Sequence, residues 1–166
     1  MSKLRYAAYG SNLHPVRLRQ RVPSARLAGT ELLPGMSLHF HKQGMDGSAK
    51  ANVRDTGDGV HVAVYTIDAV EKPLLDRHEH AGIGYESTLI DVPGFGECFT
   101  YVATETHIAD ELDPFCWYHE LVLVGCRLHG FPDEYIASVE TVSRIDDPDH
   151  ERRRRNWRLV EKMRRG

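Results

Sequence analysis

Short apolar segments separated by turn residues fill most of the first 104 positions, and this pattern constrains the fold more than any other feature of the sequence. Each segment alternates or is continuously apolar between glycine- or proline-containing turns, which is typical of strands. Turns at 56–59 and 93–96 are each predicted to close a β-hairpin, because glycine accepts the positive φ angles that such turns need. Strands are expected at 4–9, 25–33, 36–41, 49–54, 60–67, 85–92 and 97–104.

Helical segments interrupt and follow these strands, most of them with a proline near the start, where its missing N–H is harmless. We expect Asn12 near the N-cap of the first helix, Asp68 with Glu71 as a capping-box variant before the second, and Asp147 as the N-cap of the last. Because helices mostly follow strands, the pattern favours an α+β fold over a regular βαβ repeat. Helices are expected at 14–20, 69–78, 114–128, 132–142 and 148–163.

Length and composition indicate one globular domain without membrane or secretion signals. The chain has 166 residues, of which 41% are hydrophobic, an ordinary balance for a single soluble domain. No uncharged apolar run of about 18 residues occurs, so neither a membrane span nor a signal peptide is predicted. The three cysteines, Cys98, Cys116 and Cys126, are odd in number and include no C-x-x-C pair. This pattern predicts neither a disulfide framework nor a thiolate zinc site, and a reducing cytoplasm fits it best.

The C-terminal segment is strongly basic. Eight basic and two acidic residues lie from His150 onward, which leaves 13 basic and 22 acidic residues before it. A solvated helix face is favoured over a nucleic-acid site, because Trp157 is the only aromatic residue available there for stacking. We therefore expect one domain over 1–145 and a basic helical extension over 146–166, packed on or beside it. Trp157, Val160 and Met163 recur at helical spacing, and this stripe serves either the chain's own core or a homodimer contact.

The turn Tyr9-Gly10-Ser11-Asn12-Leu13 lies between a predicted strand and a predicted helix. It does not match the G-x-S-x-G elbow of a serine nucleophile. Several main-chain N–H groups can converge on an anion or oxyanion at such a place. A simple turn with a helix cap is the alternative that the residues alone leave open.

The histidines and one glutamate, Glu79, are further candidates for chemistry. The ten histidines include His39 with His41, and His78 with His80, but neither pair has the H-E-x-x-H spacing that brings two imidazoles onto one metal, so no metal site is predicted. Glu79 ends the second predicted helix. From there a carboxylate can project into a cleft and transfer protons, or it can remain a solvated charge.

Three separated segments, in the expected order, resemble the gamma-glutamylcyclotransferase-like proteins. Residues 6–13 resemble their Y-G-S-N-L signature, and residues 75–79 resemble their L-D-x-x-E segment, with Tyr85 following it. Residues 117–135 are similar to a Y-x-x-x-x-x-x-G-(AC)-x-x-x-G-(LF)-P-x-x-Y block. The resemblance spans roughly residues 4–140.

This resemblance implies an α+β fold with a mixed, largely antiparallel barrel-like sheet, flanking helices, and a cavity where the loop after the first strand meets a catalytic glutamate. It also implies cyclisation of a small γ-glutamyl substrate to 5-oxoproline with release of an amine or amino acid, without cofactor or metal. Glu79 would be the general acid/base. The loop of Tyr9, Gly10, Ser11, Asn12 and Leu13 would hold the glutamyl group, and Tyr85 and Tyr118 would line the pocket.

Two departures from the family pattern affect substrate choice. His80 stands where many members have glycine, and the spacing from Glu79 to Tyr85 is one residue shorter than in some. Candidate substrates are γ-glutamyl amino acids, γ-glutamylamines such as an isopeptide-linked lysine, and a γ-glutamyl group that protects a biosynthetic intermediate. A different class of function is a noncatalytic relative that binds a small carboxylate while its basic tail docks an acidic protein or nucleic acid.

Overall fold

A computed structural model describes residues 2–166, which form seven strands and five α-helices. The α+β class predicted from the sequence is confirmed. No helix within the described residues is both long enough and apolar enough to cross a bilayer. The strands are β1 Lys3–Ala8, β2 Arg26–Leu33, β3 Ser37–Gln43, β4 Ala49–Arg54, β5 Val60–Asp68, β6 Tyr85–Val92 and β7 Gly96–Ala103. The helices are α1 Pro15–Arg21, α2 Lys72–His78, α3 Cys116–Leu128, α4 Asp133–Glu140 and α5 His150–Arg165.

Five strands form one sheet in the order β2-β5-β1-β7-β6. Neighbouring strands are antiparallel except β1 and β7, which run parallel. The sheet is therefore mixed and largely antiparallel, as predicted, but with β2 and β6 at its edges it is not closed into a barrel.

Within residues 2–166, β3 and β4 pair with each other in a separate two-stranded sheet, and Lys42 of β3 also forms an isolated bridge with Ile108. The hairpin predicted at 93–96 is confirmed by the pairing of β6 with β7. The hairpin predicted at 56–59 is wrong, because β5 pairs with β2 and β1 while β4 belongs to the other sheet. Gly57 and Gly59 still adopt φ angles of 119° and 127°, so the turn residues were identified correctly although the strands they join do not pair.

Two predicted helix caps are wrong because tertiary contacts take the side chains elsewhere. The N–H of Val16 donates to Nδ1 of His14 at 3.1 Å, so His14 and not Asn12 caps α1. The Asp68 side chain makes no capping bond to any of residues 2–166, and a 3-10 turn precedes α2. Glu71 instead accepts a hydrogen bond of 3.0 Å from the N–H of Ser24.

The third predicted cap is also wrong, since Asp149 caps α5 and Asp147 anchors it. Both carboxylate oxygens of the buried Asp147 accept from Arg152 at 2.6 Å, and one also accepts from the indole N–H of Trp117 at 2.9 Å. α5 thereby lies against α3. Val160 and Met163 are buried in the chain's own core, so this part of the predicted stripe is covered within the molecule.

α3 fixes the turn that follows β1. A Cβ on Gly125 would lie 2.5 Å from Cβ of Leu13, so the close approach of α3 to this turn requires glycine. The carbonyl of Leu13 also accepts a hydrogen bond of 2.6 Å from the Tyr65 hydroxyl, and it lies 2.6 Å from Nε2 of His129. These contacts hold the turn in one place.

Candidate active site

The turn at 9–12 presents unpaired main-chain donors. A Cβ on Gly10 would lie 3.0 Å from Cβ of Ala51, so glycine allows the turn to press closely against β4. The N–H of Leu13 donates to the carbonyl of Gly10 at 3.2 Å, whereas the N–H groups of Gly10, Ser11 and Asn12 donate to no acceptor within residues 2–166. Buried N–H groups are nearly always paired. Three free donors beside a cavity therefore indicate a place where a ligand accepts hydrogen bonds.

Glu79 meets this turn directly. It follows α2, and its N–H donates to the carbonyl of Leu75 at 2.9 Å. Oε1 of Glu79 accepts from Nδ2 of Asn12 at 2.7 Å and from Nη1 of Arg21 at 2.9 Å. Oε2 accepts no hydrogen bond from residues 2–166. One carboxylate oxygen is thus held by the protein while the other remains available to a ligand.

A cavity of about 220 Å³ opens beside Glu79. It continues into a narrow extension of about 20 Å³, lined in part by Gly10, Asn12 and Ala51. Both spaces share four lining residues, Ser11, Glu79, Tyr85 and Tyr118. The carboxylate therefore lies at the junction between a wide outer space and a narrow inner one.

Three tyrosine hydroxyls form hydrogen bonds with main-chain groups in the wall of the narrow extension. The Tyr9 hydroxyl donates to the carbonyl of Tyr101 at 2.6 Å, and that of Tyr85 donates to the carbonyl of Ala51. The Tyr118 hydroxyl accepts from the N–H of Ala51 at 2.9 Å. Burial raises the pKa of Tyr118 to about 12, so this group stays neutral near pH 7. These hydroxyls are engaged with main-chain groups and act as supports for the cavity wall.

Two arginines of α1 lie under the site, and the sequence analysis missed both. Arg21 bridges Glu79 to Asn12, whose Oδ1 lies 3.3 Å from Nη1. Arg17 lies one helical turn earlier, and burial, followed by the charge of Arg21, lowers its pKa to about 9. Their i, i+4 spacing was the available signal, because it places both guanidinium groups on one face of the helix.

Two lysines of the small sheet border the outer cavity and were also missed. Lys50 pairs with Asp46 at 2.8 Å and lies 4.6 Å from the centre of the Tyr118 ring. Lys42 lies 4.6 Å from the centre of the Tyr85 ring. Burial lowers the pKa of both ammonium groups. Lysine is normally a surface residue, so nothing in the sequence marked these two.

The predicted site residues occupy these spaces with one exception. Tyr9, Gly10, Ser11, Asn12, Tyr85 and Tyr118 border the inner extension together with Glu79. Leu13 does not line the cavity: its side chain is fully buried in the core, its N–H donates to Gly10, and its carbonyl is bound by neighbours. Leu13 therefore anchors the turn from behind.

The histidines have mostly structural surroundings. His39 and His41 stack with their ring centres 4.8 Å apart, and His41 lies 2.9 Å from both Asn52 and Asp110. No cluster of three His, Cys, Asp or Glu side chains suited to a metal ion occurs among residues 2–166. His80 borders the outer cavity at φ 54°. This left-handed conformation suits the glycine common in the resembled family better than a residue with a side chain.

The chain is similar to known proteins in both sequence and fold. The family model described as gamma-glutamyl cyclotransferase, AIG2-like matches residues 6–119. No match is found among curated proteins. A solved structure described as gamma-glutamyl cyclotransferase superposes with a TM-score of 0.82 at 23% identity, covering 97% of this chain and 99% of that one.

Two further solved structures share the fold. An uncharacterized protein from Homo sapiens has a TM-score of 0.81 at 22% identity, with coverage of 97% of this chain and 99% of that chain. YkqA from Bacillus subtilis has a TM-score of 0.72 at 18% identity, with coverage of 87% of this chain and 57% of its own. At identities of 18–23%, these three superpositions show that the fold is shared.

Proposed function

The chain belongs to the gamma-glutamyl cyclotransferase, AIG2-like family, and from this premise we propose that it cyclises the γ-glutamyl group of an amide to 5-oxoproline and releases the amine or amino acid. The observation that carries the proposal is the contact between Asn12 and Glu79. It places a carboxylate beside three free main-chain donors at the mouth of a narrow space.

The reaction needs few protein groups because the substrate contains its own nucleophile. The α-amine attacks the γ-carbonyl carbon, a new C–N bond closes the five-membered ring, and the original amide C–N bond breaks. An intramolecular attack of this kind depends mainly on positioning. The cavity of about 220 Å³ beside Glu79 supplies the space in which the glutamyl chain can be held bent, while the extension of about 20 Å³ admits only a water-sized group such as the carbonyl oxygen.

Glu79 is suited to move the protons. The attacking ammonium must lose a proton, and the leaving nitrogen must gain one. Arg21 and Asn12 hold Oε1 by two hydrogen bonds, so Oε2 can take the first proton and return it to the leaving nitrogen. One carboxylate serves both steps, first as base and then as acid.

The turn at 9–12 is suited to stabilise the charge that develops on the carbonyl oxygen. Its free N–H groups at Gly10, Ser11 and Asn12 border the same space as Glu79. One well-placed donor to an oxyanion is worth about 3 kcal/mol. The turn would therefore supply the electrostatic part of catalysis while Glu79 supplies the proton transfer.

Release of 5-oxoproline from a panel of γ-glutamyl amino acids and γ-glutamylamines tests the proposal. Glu79→Gln should lower turnover by about 100-fold or more, because the amide cannot carry the proton. Glu111→Gln, which changes an exposed glutamate outside the cavity, is the matched control and should retain activity. Unchanged turnover in Glu79→Gln would remove Glu79 from the mechanism, and no 5-oxoproline from any member would reject the proposed reaction.

A further inference from the structure

The hydroxyl proton of Tyr6 has no acceptor within the protein. Tyr6 is 5% exposed, and its hydroxyl oxygen accepts a hydrogen bond of 3.0 Å from Nδ2 of Asn12. Among residues 2–166 the same hydroxyl donates to no group. A buried tyrosine hydroxyl usually finds a partner for its proton. The missing acceptor therefore indicates that a ligand atom takes this hydrogen bond.

Tyr6 differs from the other tyrosines around the narrow extension. The hydroxyls of Tyr9, Tyr85 and Tyr101 all donate to acceptors of the protein. The proton of Tyr118 has no acceptor among residues 2–166 either, but Tyr118 borders the wide cavity as well. Tyr6 borders the narrow extension and not the wide cavity. A ligand group that accepts from Tyr6 therefore lies in the extension.

Aromatic packing fixes the Tyr6 ring beside the proposed base. The ring stacks on that of Phe99 with centres 5.1 Å apart, and it contacts Tyr101 edge to face at 5.9 Å. Nδ2 of Asn12 donates both to the Tyr6 oxygen and to Oε1 of Glu79. The hydroxyl and the carboxylate are thus held by the same amide group, and neither must reorganise when a ligand arrives.

The Tyr6 hydroxyl keeps its proton near neutral pH. Burial is the largest cause that raises its pKa, and the charge of Glu79 raises this pKa further. A neutral hydroxyl donates a hydrogen bond, whereas a phenolate only accepts. Tyr6 is therefore suited to stabilise negative charge without taking part in proton transfer.

We propose that the Tyr6 hydroxyl donates a hydrogen bond to the γ-carbonyl oxygen of the substrate, and to the oxyanion that this oxygen becomes during ring closure. This inference rests on the proposed cyclotransferase function. The extension of about 20 Å³ has room for one water-sized group, and the free N–H groups of Gly10, Ser11 and Asn12 border the same space. Because the oxygen gains negative charge as the ring closes, donors around it bind the transition state more strongly than the substrate.

Steady-state kinetics with γ-glutamyl-alanine test the inference first. Tyr6→Phe should lower kcat by about 100-fold, the usual effect of removing one donor to an oxyanion, and change KM by less than about 3-fold. The control is Tyr135→Phe, because the Tyr135 hydroxyl has no partner among residues 2–166 and lies outside both spaces. This variant should retain both constants.

A fluorinated tyrosine separates donation from a structural role. Replacement of Tyr6 by 3-fluorotyrosine makes the hydroxyl more acidic, so that it donates more strongly and accepts more weakly. If Tyr6 donates to the oxyanion, kcat should be retained or rise. A residue that only holds Asn12 through its oxygen would instead lose turnover. A fall in kcat with 3-fluorotyrosine would therefore overturn the inference, even if Tyr6→Phe did not fold.

Infrared spectra of bound 5-oxoproline separate this inference from the proposed reaction. The lactam carbonyl of 5-oxoproline derives from the γ-carbonyl, and a hydrogen bond lowers its stretching frequency. With a carbon-13 label at this carbonyl, its band should lie at higher frequency on Tyr6→Phe than on the native chain.

The two proposals fail in different ways. If the native chain converts no γ-glutamyl amide but the carbonyl band shifts in Tyr6→Phe, the cyclotransferase proposal fails and the Tyr6 contact stands. If γ-glutamyl-alanine is converted and Tyr6→Phe changes neither kcat nor the band, the inference fails and the reaction stands. Absence of both conversion and 5-oxoproline binding rejects both.

Discussion

The side-chain amide of Asn12 donates a hydrogen bond of 2.7 Å to Oε1 of Glu79, and so joins the turn after β1 to the end of α2 across 67 positions of sequence. The same Nδ2 lies 3.0 Å from the hydroxyl of Tyr6, and Oδ1 lies 3.3 Å from Nη1 of Arg21. Both ends of the amide are therefore engaged. Asn12 sets the position of the carboxylate on which the proposed proton transfer depends.

Replacing Asn12 should slow catalysis more than it weakens binding. Asn12→Ala removes one of the two hydrogen bonds to Oε1 and lets the carboxylate move, so we expect kcat to fall by about 10- to 100-fold with a smaller change in KM. Steady-state release of 5-oxoproline measures both constants. Asn156→Ala on α5 is the control, because within residues 2–166 its side chain bonds only to the local carbonyl of Arg152. An unchanged kcat in Asn12→Ala would show that this contact does not position Glu79.

Replacing Arg21 should lower both turnover and the free energy of unfolding, because Arg21 holds Oε1 of Glu79. The Arg21 and Glu79 side chains are 18% and 14% exposed, and a hydrogen bond to a charged group is worth about 1.5–3 kcal/mol. Arg21→Met should lower the free energy of unfolding by about that amount, as measured by denaturant titration. Arg77→Met, an exposed arginine on α2, should change it little.

A double variant checks that the effect of Arg21 passes through Glu79. If the two side chains interact as the distance of 2.9 Å indicates, Arg21→Met with Glu79→Gln should lose less stability than the sum of the single changes. Simple additivity would contradict the interaction.

Several features of the fold were accessible from the sequence because they depend on local patterns. The alternation in 85–92 and the glycines of 93–96 were sufficient to predict a hairpin, and the positions of all five helices were predicted within a few residues. The turn at 56–59 shows the limit of this reasoning. Its glycines adopt positive φ angles, but the pairing of β5 with β1 and β2 is decided by strands far away in the sequence.

The candidate site was predictable only where a motif marked it. The turn at 9–12 and Glu79 were candidates from their places at the ends of predicted elements, and the family resemblance then implied their roles. Local rules placed Asn12 at a helix cap, yet its amide is taken by Glu79, and His14 caps the helix instead. Arg21 was marked only by its i, i+4 spacing from Arg17, and Lys42 by nothing in the sequence, since a charged residue is expected in water until the tertiary structure buries it.

Removing the Tyr118 hydroxyl should destabilise the fold, because one main-chain N–H would lose its acceptor. The hydroxyl accepts the N–H of Ala51 at 2.9 Å in a buried setting, and Tyr118→Phe would leave that donor unpaired. We expect a loss of about 1–3 kcal/mol in the free energy of unfolding, the cost of an unsatisfied buried group. Phe115→Leu is a purely apolar change in the same core. Comparing the two variants helps separate the loss of the hydrogen bond from a general loss of core packing. Unaltered stability in Tyr118→Phe would show that the N–H finds another acceptor.

Asp147 should make stability depend on pH in the acid range. The Arg152 guanidinium beside Asp147 holds the pKa of that carboxyl well below its usual range. A carboxyl whose pKa is lower in the folded than in the unfolded chain adds stability above its unfolded pKa of about 3.9 and loses it as pH falls toward the folded value. Asp147→Asn should therefore cost about 3 kcal/mol near pH 7, and progressively less below about pH 4.

Unfolding titrations at several pH values measure this difference. Asp149→Asn is the matched control, because asparagine and aspartate cap helices about equally well. A loss in Asp147→Asn that stays constant from pH 7 to about pH 2 would contradict the assigned ion pair.

The most direct test of the central claim is the product balance with γ-glutamyl-alanine, followed for the native chain and for Glu79→Gln. The account predicts equal amounts of 5-oxoproline and alanine from the native chain, with no free glutamate, and a rate lower by about 100-fold or more in Glu79→Gln. Free glutamate as the product would mean that water and not the α-amine attacks the carbonyl. That result, or undiminished 5-oxoproline release by Glu79→Gln, would contradict the account.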